Sequence, residues 1–178
     1  MVNKSNLVYI GLQIVAWIIF VGLSIEAGAL IVNFIFSIFN PDVVANLYQK
    51  LDLSSLFARS HNAFYTMYNF ILAIAILKAR LFYGVIQLTY VFSLTKPFSD
   101  AAAKRLNQIS YITLSVGLLS YIAREATRNL LHRGYEVEAL NQFWADSQAF
   151  ILMAAILFVI SQVFKKGFEL QTENDLTV

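Results

Sequence analysis

The sequence predicts an all-α fold, a four-helix transmembrane bundle with a short amphipathic helix on its outer side, and three observations carry that prediction. The 178 residues are 58% hydrophobic and only 13% charged, with a mean hydropathy of +0.63, against about 25% charged residues in soluble domains. Four apolar blocks, residues 7–39, 63–94, 106–131 and 143–164, each reach the roughly 20 residues that a helix needs to cross a ~30 Å hydrocarbon core. Both prolines and most of the charges lie outside these blocks. One domain, 1–178, accommodates all four blocks, and residues 165–178 form a tail.

The first block follows Lys4, exceeds the roughly 7–15 residues of a signal-peptide core and lacks a small-x-small cleavage site, so it reads as an uncleaved first helix. After it, "NPD" at 40–42 supplies a capping Asn40, Pro41 suited to a first helical position and Asp42 at a positive helix end. Val43, Val44, Leu47, Tyr48 and Leu51 then share one face at helical spacing, as in a helix lying in the membrane interface. Pro97 breaks the chain after the second block, and Ser99 or Asp100 restarts a helix. Arg128, His132 and Arg133 before Gly134 mark a helix C-terminus with cations in its last turn.

Orientation follows from Lys and Arg near the helix ends. Lys4, Lys96, Lys104, Arg105, Lys165 and Lys166 fall on one side, with Lys50, Arg59, Arg124, Arg128 and Arg133 opposite. Lys104, Arg105, Lys165 and Lys166 hug membrane exits, while Glu136, Glu138 and Asp146 balance the other side, so both termini are expected to be cytoplasmic in a multi-pass protein of the cell membrane.

Charges inside the apolar blocks are the next handle on function. A central charge costs about 2.5–3.5 kcal/mol on insertion scales, against about 0.3–0.6 returned by each Leu, Ile, Phe or Val. Glu26 therefore does not prevent insertion of the first helix, whereas Lys78 and Arg80 in "LKARLF" leave the second in need of a partner or a tilt. At 100° per residue Asn62, Thr66, Asn69, Ala73, Arg80, Gly84 and Gln87 form one small-and-polar stripe, with Lys78 pointing nearly the opposite way. On the first helix Gly22, Glu26, Asn33 and Ser37 form another. The expectation is an antiparallel pair of helices in which Glu26 neutralises Arg80 and Asn33 and Asn69 hydrogen-bond beside them, with Lys78 snorkelling or meeting the third or fourth helix. On the third helix Ser110, Thr113, Gly117 and Ser120, continuing to Arg124, suit close approach of a neighbour. Trp144, Tyr9, Tyr90 and Tyr111 suit aromatic belts at the membrane surfaces.

No catalytic constellation emerges. With no cysteine, disulfides, thiolate metal sites and cysteine nucleophiles are excluded. His61 and His132 fall at outer helix ends without the spacing of haem or zinc ligands on one helix. No glycine-rich phosphate loop, nucleophile elbow or His-Glu-x-x-His is present. A net charge of +2 is too small for direct nucleic-acid binding. A non-enzymatic protein with no cofactor and no metal is expected.

The tail "FKKGFELQTENDLTV" sets Glu169, Glu173, Asn174 and Asp175 among Phe168, Leu170 and Leu176, the pattern of an acidic docking peptide with hydrophobic anchors. This tail and "KPFSDAAAKRLNQIS" at 96–110 resemble the bacterial integral membrane proteins grouped as domain of unknown function 2975. The shared elements are Pro97, Phe98, Lys104, Arg105, Leu106, Ile109 and Ser110, and then Lys165, Lys166, Glu173, Asn174, Asp175, Leu176 and Thr177. The resemblance implies a bacterial inner-membrane protein with no assigned catalytic residue, of a kind frequently encoded beside a small helix-turn-helix regulator. The functional expectation is that this protein holds or sequesters such a regulator at the inner membrane face, with Lys104, Arg105, Glu169, Glu173, Asn174, Asp175 and Leu176 as its docking surface. Rival expectations are a small transporter or ligand-sensing bundle using Glu26, Asn33, Asn69, Lys78 and Arg80, and a structural subunit of a membrane complex seated by the small-residue face of the third helix. Self-association of the bundle is compatible with all three.

Overall fold

A computed structural model describes residues 4–48, 51–92 and 97–175. Five helices follow in order, α1 (Lys4–Phe39), α2 (Ser54–Arg59), α3 (His61–Val91), α4 (Asp100–His132) and α5 (Ser147–Asp175), with 3-10 turns at Pro41–Asn46 and Glu138–Phe143. The described residues include no strand beyond an isolated Leu47–Leu51 bridge. α1, α3 and α4, and α5 together with the turn before it, are long and apolar enough to cross a membrane.

Helix ends are set by local chemistry. The Asn40 side chain accepts the Asp42 amide, Ser60 caps α3 through the Ala63 amide, and Ser99 caps α4 through the Ala102 amide. Asp52 accepts both the amide and the hydroxyl of Ser54, which holds its carboxyl below its ordinary range. α4 stops where Gly134 takes φ +75°, a left-handed conformation that costs glycine nothing.

The long helices alternate in direction, and each packs on its predecessor: α3 on α1, α4 on α3, α5 on α4. Tyr9 stacks on Phe92, and Phe92 and Phe98 both meet Phe164. The start of α1, the end of α3 and the lower part of α5 therefore share one side, the terminal side; the opposite side is the loop side. Because the described residues of α1 pack chiefly on α3 among the long helices, Ile18, Ile25, Val32 and Phe39, spaced by seven, stay exposed along it, as suits a face turned to lipid.

α4 and α5 are staggered. Gly117, midway along α4, lies against Ser147 and Ile151 at the start of α5, so α5 begins roughly 22 Å short of α4's loop-side end, at 1.5 Å per residue. The gap above α5 is filled by the connectors, and this alters two sequence expectations. Pro41–Asn46 form a 3-10 turn and Leu47 bridges Leu51, so the short α-helix between the first two spans is α2 rather than one through Val43, Val44, Leu47 and Tyr48. Val44, Leu47, Leu51, Leu53 and Leu56 are buried in a core with Phe64, Met67, Tyr68, Val137, Leu140 and Trp144. Trp144, expected in an aromatic belt, is 1% exposed. The loop-side halves of α3 and α4 present apolar surface that α5 does not reach, and burying these leucines and the indole there removes more area from water than an interfacial position would.

Arg59, at the end of α2, ties the two connectors together. Its guanidinium donates to the Gly134 carbonyl at 2.5 Å and the Arg133 carbonyl at 3.0 Å and lies 4.1 Å from the centre of the Tyr135 ring.

Candidate functional site

α3 turns its aromatic side to α1. The Tyr68 hydroxyl donates to the Leu30 carbonyl at 3.1 Å, Phe34 packs on Tyr65 and Tyr68, and Phe20 meets Tyr83. The small-and-polar stripe is rotated away and lines the seam with α4. Asn62 and Thr66 face a groove shared with Ala126, Asn129 and Arg133, and Arg80, Gly84 and Gln87 face one shared with Arg105, Gln108 and Ile109.

The expected Glu26–Arg80 pair is therefore corrected. Ion pairs among the described residues are Lys104–Asp100, Arg128–Glu125 and Lys166–Glu169, each within one helix turn; Glu26 and Arg80 are not joined. Large rings that can interdigitate win the α1–α3 interface, because each buries far more area than an asparagine or a lone charge can. Asn33 is half-buried and Asn69 exposed, and neither side chain has a hydrogen bond among the described residues. Lys78 is half-buried, 5.7 Å from the centre of the Phe150 ring, so it meets α5.

Two of the grooves are each lined by a pair of arginines. The terminal-side groove, of about 280 Å³, has Arg80, Gln87, Arg105 and Gln108 on its walls and no carboxylate. Arg105 donates to the Gln108 side-chain carbonyl at 2.9 Å, and the Arg80 guanidinium lies 5.8 Å from the Tyr83 ring. A Cβ on Gly84 would stand 3.2 Å from Ile109, which sets the register of the two helices and places Arg80 roughly 12 Å deeper than Arg105 along the helix axes. The loop-side crevice, of about 400 Å³, is bounded by Arg124, Arg128, Asn141 and Trp144. There the buried indole N–H of Trp144 has no hydrogen-bond partner among the described residues. The sequence reading missed this crevice, although Arg124 and Arg128, four apart, share a helix face.

The terminal-side surface is more ordered than a docking peptide. α5 passes Lys165 and Lys166 and stays helical to Asp175, roughly 15 Å further. A Cβ on Gly167 would stand 2.6 Å from the nearest atom of the Phe98 ring, so Phe98, just before α4, packs tightly on this extension. Lys104 pairs with Asp100 at 2.6 Å and Lys166 with Glu169 at 3.1 Å. Leu170, Glu173 and Asn174 are exposed on the helix, and Leu176 lies outside the described residues. Among the described residues no three His, Asp or Glu side chains are grouped to hold a metal.

Four long apolar helices packed in sequence, with charge at their ends, define a multi-span helical membrane protein. Within that class the chain belongs to the family described as "Protein of unknown function (DUF2975)", which matches residues 50–178, α2 to α5. No curated protein and no solved structure matches it.

Proposed function

We propose that this protein is a non-enzymatic membrane anchor that holds a small helix-turn-helix transcription regulator against its terminal side. The observation that carries the reading is the continuation of α5 beyond Lys165 and Lys166 to Asp175, braced by Phe98 against Gly167. A helix already ordered presents Glu169, Leu170 and Glu173 without the ordering cost that a free peptide would incur on binding. Its acidic surface is complementary to the basic face with which a helix-turn-helix protein meets DNA, so docking there would keep the regulator off its operator. The lysines and arginine flanking the stalk, Lys104, Arg105, Lys165 and Lys166, favour a cytoplasmic position for this side.

The rival readings draw less support. A single solute site made by Glu26, Asn33, Asn69 and Arg80 would need side chains that the helix faces separate. The small-residue face of α4, expected to seat another subunit, is filled within the chain: Gly117 receives Ile151, and Ser110, Thr113 and Ser120 are buried.

The test is purification in mild detergent from the native host, comparing the full-length chain, a chain lacking residues 171–178 and the point variant Leu170→Glu, with co-purifying proteins identified by mass spectrometry. A small DNA-binding protein retained by the full-length chain and lost from both variants is the expected result. Its absence from the full-length preparation, or equal retention by all three chains, defeats the proposal.

A further inference from the structure

We propose that the terminal-side groove between α3 and α4 binds a phosphate group, with Arg80 and Arg105 as its ligands. The inference does not rest on the anchoring role: it needs the α3–α4 groove and not the end of α5, although Arg105 borders both.

Arg80 stands on the exposed side of α3, well inside its membrane-crossing span of His61–Val91. A guanidinium cannot discharge by losing its proton as a lysine can, so a charge at this depth requires an anion or a path to water. Among the described residues no carboxylate lines the groove, and Arg80 has no ion pair. The second charged group of the groove, Arg105, has the same sign. Two cations facing one space of low dielectric repel each other unless an anion lies between them.

The remaining walls fit the same ligand. Gln87 and Gln108 add amide N–H donors, and the bond from Arg105 to the Gln108 carbonyl oxygen leaves that amide's N–H groups available. Gly84 keeps the floor open, while Tyr111, Ile109 and Ile112 form an apolar flank. Tyr83, one turn nearer the terminal side, draws the Arg80 guanidinium to within 5.8 Å of its ring, and so toward the membrane surface from which a ligand would enter. Planar guanidinium forks match phosphate oxygens two at a time, and basic pockets between membrane helices at a leaflet surface suit anionic head groups. The phosphate can belong to a lipid of the terminal-side leaflet or to free inorganic phosphate.

The experiment uses full-length protein in a neutral detergent, with thermal unfolding followed as three probes are titrated: phosphatidylglycerol, inorganic phosphate, and diacylglycerol with the same chains and no phosphate. Arg80→Gln and Arg105→Gln are compared with wild type, and Arg80→Lys is included should Arg80→Gln fail to elute as a folded protein. Stabilisation of the wild type by phosphatidylglycerol, with apparent affinity weakened about tenfold in each Gln variant, supports a lipid head group. The same arginine-dependent response to inorganic phosphate supports the site with free phosphate as its source. Equal responses of wild type and both Gln variants, or an equal effect of diacylglycerol on the wild type, overturn the proposal.

Discussion

Two kinds of glycine show how much a single residue's role depends on what stands opposite it. A Cβ on Gly117 would lie 2.7 Å from the Ile151 side chain, 2.9 Å from its amide nitrogen and 3.2 Å from the Ser147 carbonyl, and backbone atoms cannot move aside. Gly117→Ala is expected to lower stability by about 1–3 kcal/mol. Gly22 and Gly28 of α1 have open space where a side chain would be, so Gly22→Ala and Gly28→Ala should be neutral or stabilising by up to about 1 kcal/mol. Thermal unfolding in detergent checks both, and equal effects at the three positions would sink the account. The spacing of Ser110, Thr113, Gly117 and Ser120 made α4's close contact legible in the sequence. Gly22 carried a similar signal on α1 without a neighbour, since periodicity identifies a face and leaves open whether anything meets it.

At the scale of elements the same limit explains Arg80. Helical spacing grouped Asn62, Thr66, Asn69, Ala73, Arg80, Gly84 and Gln87 on one face, of which Asn62, Thr66, Arg80, Gly84 and Gln87 line the seam with α4, but it could not say whether α1 or α4 lay opposite. The choice was made by rings on the neighbouring face, Tyr65, Tyr68 and Tyr83, whose partners Phe34 and Phe20 are remote in sequence. Arg59 was equally opaque, because its role depends on three-dimensional proximity to the end of α4. Its hydrogen bonds to the carbonyls of Arg133 and Gly134 offset the negative end of α4. Arg59→Ala should destabilise the protein by about 1–3 kcal/mol and increase hydrogen exchange at residues 133–137. Arg59→Lys should recover little, because an ammonium cannot span two carbonyls and lie flat on Tyr135; full recovery would show that charge alone suffices.

For the whole molecule, the helix count, the helical turn restarting at Ser99 and the stop at Gly134 were readable from composition, capping residues and glycine. The order of packing and the stagger of α5 were not, since both depend on contacts between faces that one sequence cannot pair. The absence of cysteine makes the arrangement directly testable. Cysteines placed at 84 and 109 should cross-link on oxidation in membranes, while a pair at 26 and 80 should not; efficient linkage of 26 to 80 would contradict the packing described. The succession α1, α3, α4, α5, each resting on the one before, also bears on how the protein is made. As the ribosome delivers the chain, every new spanning helix meets a partner already in the bilayer, and the interfaces between spans close over short sequence distances. The loop-side cap is the exception: Val44, Leu47, Leu51, Leu53 and Leu56 are synthesised early, yet their core with Val137, Leu140 and Trp144 must wait until α4 is complete, so that cap closes only after three spans have been made.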